Sequence, residues 1–160
     1  MKDIESVLLD NSFVMRLLKS DDEFHEQTVE YYRYFIEKNI VMYLSTIVIS
    51  EYAVADDPQN LLMLKSFQIL EFDYGDAKVA GEYYTFLKDI QDTRENIERK
   101  VIINDLKLLG QIKNREIDAF ISKDRKCYNK MILPLQTHMD LKVKFIDLSI
   151  PLRDYLGTLF

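Results

Sequence analysis

Apolar positions along this chain fall into short compact runs separated by longer stretches with helical spacing. Residues 5–9, IVMYLS (40–45), QILEFD (68–73), IDAFIS (117–122) and KVKFIDL (142–148) have the length and apolar density of buried strands. From Asp21 to Lys38 the pattern is different: Phe24, Thr28, Tyr31 and Phe35, with Tyr32 and Ile36 beside them, recur at helical spacing. Asp21 is the expected cap of that helix and Asn39 its end. Ser45 or Thr46 caps a further helix through IVISEYAVA, which Asp56, Asp57 and Pro58 close.

A short helix is expected around 60–66, and Tyr74-Gly75-Asp76 reads as a turn and cap before a helix over 77–90. The polar junction DTREN precedes a helix over 97–112 that carries Ile102, Leu106, Leu109 and Ile112 and is weakened near its end by Gly110. A last helix is expected over 128–136. Strands separated by helical crossovers and written as continuous apolar runs predict an α/β fold, with a parallel sheet covered on both faces.

Length adds that 160 residues make one ordinary domain, so 1–160 is expected to share one core. With Cys127 as the sole cysteine, an intrachain disulfide and a cysteine-based zinc site are both excluded. No run approaches the ~20 apolar residues that span a bilayer, and the start MKDIES has no cationic leader, so no membrane partner and a cytoplasmic location are expected. The net charge of -6 argues against coating of nucleic acid by bulk electrostatics. It leaves room for a local basic stretch: Lys107, Lys113, Arg115, Lys123, Arg125, Lys126 and Lys130 face only Glu116, Asp118 and Asp124 in the same segment.

The unusual feature is the set of carboxylates that end or interrupt apolar segments. They are VLLD at Asp10, TIVISEYAVA at Glu51, VIINDLKLLG at Asp105, and IDAFISKD with Asp118 and Asp124. Asp10 and Asp124 stand at the carboxyl ends of predicted strands, where open parallel sheets bind ligands. Asp105 is mid-helix among Ile103, Leu106 and Leu109, where aspartate has poor propensity. Each acid also has a plain structural reading: a helix cap for Asp10, a lysine pair for Glu51, an exposed face for Asp105, a turn for Asp124. Gathered without counter-charges, the four would raise one another's pKa, a conflict that Mg²⁺ or Mn²⁺ relieves through oxygen ligands. Such an ion activates water and stabilises charge on a phosphodiester.

In order and context, VLLDNSF, YLSTIVISEY, VIINDLKLLG and FISKDRKCY together resemble the PIN-domain family of metal-dependent nucleases, over nearly the whole chain. The resemblance implies a three-layer α/β/α sandwich with a central, mainly parallel five-stranded sheet, an acidic pocket for Mg²⁺ or Mn²⁺, and hydrolysis of RNA. Asp10, Glu51, Asp105 and Asp124 match the family's acids as metal-binding and catalytic residues. Ser12 matches a hydroxyl residue that supports the first acid, and Asn104 matches common usage before the third. Single-domain members include VapC-type toxins, which raises an antitoxin protein and a homodimer as expected partners. Two departures stand out: DTRENIERK lengthens the approach to the third motif, and the fourth lacks the aspartate and phenylalanine that often follow its acid.

Lys123, Arg125 and Lys126, beside the last acid, are candidate phosphate contacts on the RNA. A non-catalytic PIN-like module that binds RNA or serves an assembly is the alternative, and a DNA-directed or phosphatase-like metal hydrolase shares the same oxygen-ligand chemistry. His25 and His138 lack metal-like partners at helical spacing, and neither a phosphate-binding glycine loop nor a GxSxG elbow is present.

Overall fold

The computed structural model of the chain describes residues 3–90 and 99–157, and the side chains of all of these except 99–103. The junction DTREN, the expected helix start at 97 and the side chain of Ile102 lie outside the described residues. All five expected strands form: β1 (Ser6–Leu9), β2 (Val41–Ser45), β3 (Phe67–Leu70), β4 (Ala119–Ser122) and β5 (Lys144–Asp147). They make one sheet in the order β3-β2-β1-β4-β5 with every pairing parallel. β1 is central, with Leu8 opposite Tyr43 on β2 and Phe120 on β4. Val7, Leu8 and Leu9 have no exposed surface, which is why β1 reads as an unbroken aliphatic run rather than an alternating one. β3, at the sheet's edge, leaves Ile69 half exposed.

Helices connect the strands: α1 (Asn11–Leu18) and α2 (His25–Glu37) after β1, α3 (Thr46–Tyr52) and α4 (Gln59–Leu62) after β2, α5 (Tyr74–Ile90) and α6 (Arg99–Arg115) after β3. Beyond β4, α7 (Arg125–Cys127), a π-helical turn (Tyr128–Ile132) and α8 (Leu133–His138) run on continuously, and α9 (Leu152–Gly157) follows β5. Right-handed crossovers put the connections β1 to β3 on one face of the sheet and those from β3 to β5 on the other, which yields the three layers. The direction of travel reverses between β1 and β4, a topological switch point that opens a crevice at their carboxyl ends.

Local chemistry shifts some boundaries. The second helix begins at His25, because Asp22 rather than Asp21 organises the turn before it, accepting from the amide N–H of Phe24 at 2.9 Å. Asn39 closes that helix with φ 55°, a left-handed conformation asparagine tolerates. Ser45 caps α3, its hydroxyl accepting from Ile47 N–H at 3.1 Å. The fifth helix starts at Tyr74 rather than Ala77. Asp73 and Asp76 cap its first turn reciprocally, each side chain accepting from the other's amide at 3.0 Å. The tail helix α9, which the hydrophobic pattern did not predict, packs on α2 through an edge-on contact between Tyr155 and Tyr31.

The pair α5 and α6 forms a tight hairpin. Asp76 is fully buried, and Arg115 reaches it with Nε at 3.2 Å while Asn114 Nδ2 donates to it at 2.8 Å. Burial pushes the Asp76 carboxyl up, but these donors outweigh it and hold it below the usual range. Gly110 lies inside this contact rather than at a fraying end: a Cβ there would stand 2.9 Å from both Ala80 N and Asp76 O, backbone atoms of the facing helix. Gly81 by contrast has nothing within 4 Å of a Cβ position. The two glycines should therefore respond oppositely to alanine. G110A gains ~1 kcal/mol of helix propensity and loses about 1–3 kcal/mol to overpacking, so its melting temperature should fall by a few degrees. G81A should be stabilised by roughly 0.5–1 kcal/mol in the same thermal denaturation.

Candidate functional site

Because all five strands are parallel, their carboxyl ends lie along one edge, and four of the motifs meet there. Asp10 leaves β1 as the cap of α1, its own amide still bonded to Ile121 O of β4 at 3.1 Å. Its Oδ2 is held by two hydroxyls, Ser12 Oγ at 2.6 Å and Ser122 Oγ at 2.9 Å. The protons can be assigned. The amide of Lys123 donates to Ser12 Oγ at 3.1 Å and that of Asp124 to Ser122 Oγ at 2.9 Å, so each serine directs its single proton to Asp10. Ser12 thus supports Asp10 as expected, and Ser122 is a partner the sequence reading missed. Its signal was present: the hydroxyl ends a strand and precedes Asp124 by two residues, as Ser12 follows Asp10 by two.

Asp124 caps α7, its Oδ1 accepting from Lys126 N–H at 3.0 Å and Cys127 N–H at 3.2 Å. Glu51 stands on α3 one residue before its end, half-buried, and Asp105 is on α6, with Asn104 half-buried before it. The four acids share one electrostatic environment. Burial, then the charges of Asp10, Asp124 and Glu51, push Asp105 up to about 8. Burial, then Asp10, pushes Glu51 up to about 7. The buried Cys127 thiol beneath them is raised by burial, then by Asp105, Asp10 and Asp124, and stays protonated. Among the described residues no cation lies within 4 Å of any of the four carboxylates, so the lysine pair considered for Glu51 does not form.

The donor set is all oxygen and short of positive charge, which fits a hard divalent cation. The acids are not closed around a vacant centre, however: among the described residues no three His, Cys, Asp or Glu side chains are grouped to hold an ion. Asp118 is not part of the cluster. It precedes β4, at the opposite end of the strands, where its Oδ2 accepts from Glu5 N–H at 2.7 Å. A fifth acid does share the site's edge. Asp147 ends β5, 7% exposed, and accepts from Ser149 N–H and from Arg125 Nη1, both at 2.9 Å. Burial works against its ionisation, but Ser149 and Arg125 hold it below the usual range.

The basic stretch is divided rather than pooled. Arg115 serves Asp73 and Asp76, Lys113 pairs with Asp140, and Arg125 is engaged by Asp147. Lys123 lies over the Phe24 ring at 4.5 Å, and Lys126 is exposed on the first turn after Asp124. The histidines are structural: His25 Nδ1 is 2.8 Å from Arg16 O, and His138 packs on Phe86. Among the described residues no helix is long and apolar enough to cross a membrane.

A parallel five-stranded sheet of this order, with acids at the switch point, is a PIN-like fold, and solved structures agree. The chain is similar to VapBC2 from Rickettsia felis bound to a DNA fragment from their promoter, at 16% identity and TM-score 0.60, over 89% of this chain and 99% of that one. It is similar to a toxin-antitoxin complex from Klebsiella pneumoniae at 15% identity and TM-score 0.54, over 76% and 89% of the two chains. VapC20 of Mycobacterium tuberculosis, a Sarcin-Ricin loop cleaving toxin, matches at 13% identity and TM-score 0.50, over 71% and 86%. No protein-family model and no curated protein sequence matches the chain.

The raised carboxyls carry a pH signature. Folded, Asp105 keeps its proton up to about pH 8 and Glu51 up to about pH 7, whereas unfolded carboxyls ionise near pH 4. The folded state therefore binds more protons across that window, and stability falls as pH rises through it. In EDTA, D105N should melt roughly 5 °C above the parent at about pH 8.5, with the gap closing towards about pH 5. A pH-independent gap would contradict this origin.

Proposed function

We propose that this protein is a metal-dependent endoribonuclease and the toxin of a toxin-antitoxin pair. The observation that carries the reading is the approach of Asp10, Glu51, Asp105 and Asp124 at the switch point, near enough that burial and one another's charge raise Asp105, and burial and Asp10 raise Glu51. The structural likeness to VapC chains solved with their antitoxins supports the partner, and the Sarcin-Ricin loop cleaving toxin supports RNA as the substrate class.

In this reading the four acids hold Mg²⁺ or Mn²⁺, partly through waters, as a hard cation that dehydrates reluctantly requires. When bound, that ion supplies an activated water and charge stabilisation on the phosphoryl oxygens. The chain's own residues do the rest. Ser12 and Ser122 fix Oδ2 of Asp10, so the carboxylate presents one orientation to the crevice. Asp124, tied through its side chain to the first turn of α7, would orient water, and Asp105 and Glu51, protonated near neutral pH without the ion, would give up those protons to hold it.

D10N should abolish Mn²⁺-dependent cleavage of RNA, a loss of at least ~10³-fold, while leaving the circular dichroism spectrum unchanged. The open arrangement of the acids favours a second reading, a PIN-like module that binds without cutting. Thermal melts against Mn²⁺ separate the two. The nuclease reading expects the ion to raise the melting temperature of the parent and not of D10N, and a parent that neither shifts nor cleaves belongs to the second class.

A further inference from the structure

Beside the acids, on the α1 side, two cations are tied into one circuit. Arg16 lies one turn after Ser12 on α1 and donates from Nη1 to Ser12 O at 2.9 Å. The hydroxyl of that same Ser12 accepts from Lys123 N–H at 3.1 Å. The Lys123 ammonium rests 4.5 Å from the Phe24 ring centre, Phe24 N–H bonds Asp22 Oδ1 at 2.9 Å, and Asp22 Oδ1 stands 3.5 Å from Arg16 Nε. The circuit therefore closes through the residue whose hydroxyl holds Asp10.

Two features separate this pair from an ordinary surface cation. First, Arg16 is four-fifths buried, with 21% of its side chain exposed, yet of its five N–H donors only one, on Nη1, makes a hydrogen bond among the described residues. Nε is shut from solvent without a hydrogen bond, ion-paired with Asp22 at 3.5 Å. Second, both cations are already ordered, so a ligand would not bear the cost of immobilising them. Arg125, by comparison, is 62% exposed and committed to Asp147.

We infer that Arg16 and Lys123 form a preset clamp for single-stranded RNA, one cation to each of two phosphates, flanking the carboxylate site on the α1 side. A guanidinium with free donors and an ammonium each suit a phosphate oxyanion, and their placement around Ser12 offsets the repulsion an anionic strand meets from the acids. The choice of RNA rests on the proposed nuclease reading, while the clamp itself rests on the contacts above.

The test is anisotropy binding of a short labelled RNA to the full chain in EDTA across a salt series, where cleavage plays no part. R16Q should weaken binding ~10-fold at low salt and flatten the plot of log Kd against log salt by about 0.7, the share of one phosphate on a single strand. K19Q, which removes an exposed lysine at the end of α1, should change neither by as much. D22N, releasing Arg16 from its counter-charge, should tighten binding more than D21N, which removes an equal charge at an exposed neighbour. Should R16Q melt below the assay temperature, the aspartate pair decides alone. Equal behaviour of R16Q and K19Q, D22N no tighter than D21N, or no binding by the parent would each overturn the clamp. A chain that shows the clamp but does not cleave with Mn²⁺ keeps this inference and loses the nuclease reading, and one that cleaves with an unchanged R16Q slope does the reverse.

Discussion

The site depends on one acceptor atom, Oδ2 of Asp10, and on the two serine protons aimed at it. Ser12 belongs to α1 and Ser122 to β4, and the amides that orient them belong to the loop after β4. Two stretches of chain, 10–12 and 122–124, thus close on a carboxylate oxygen. The two hydroxyls fix its orientation, whereas burial raises the Glu51 and Asp105 carboxyls. That difference divides the acids into one anchored and two that retain protons, although all four face the same crevice.

The third acid is delivered by a different device. Asp105 is on a helix joined to the sheet at some distance in sequence, so its position depends on how α6 is seated. Gly110 lets α6 approach the backbone of α5, and the buried Asp76, held by Arg115 and Asn114 from the far end of α6, pins the crossing. Asp76 is buried while Arg115 keeps a third of its side chain exposed, so losing Arg115 would strand a buried charge, and the latch restricts the crossing to one arrangement. Fixing α6 at Gly110 and Arg115 sets the register in which Asp105 points inward rather than to solvent.

The strands were legible because a parallel sheet covered on both faces writes itself as unbroken apolar runs, and β1, β2 and β4 did so. The three central acids were legible for the same reason, as charges where that pattern allows none. What was not legible arose from contacts distant in sequence. Gly110 looks like a weak helix end until α5 is packed against it. Asp76 looks like a turn residue until Arg115, far along the chain, arrives to cover its buried charge. Ser122 carries no hydrophobic signature, and its role exists only because β4 lies beside β1. Within the basic stretch 107–130, three charges adjacent in sequence were distributed to Asp140, Asp76 and Asp147, an allocation that only the packed fold reveals.

The charge state of the crevice follows from these arrangements. Under the proposed function, an acidic site that takes an anionic strand faces a contradiction, since each ionised carboxylate repels the phosphate it would serve. Holding protons on Asp105 and Glu51 near neutral pH is one partial resolution, because it lowers the site's charge without moving an atom. A divalent cation would be a fuller one, and its entry must displace those protons, so binding grows stronger as pH rises. A positively charged segment of a protein partner would satisfy the same acids by the same electrostatics. The two occupants would then compete for one set of charges, and the protons the crevice keeps in their absence set the cost that either must meet to enter.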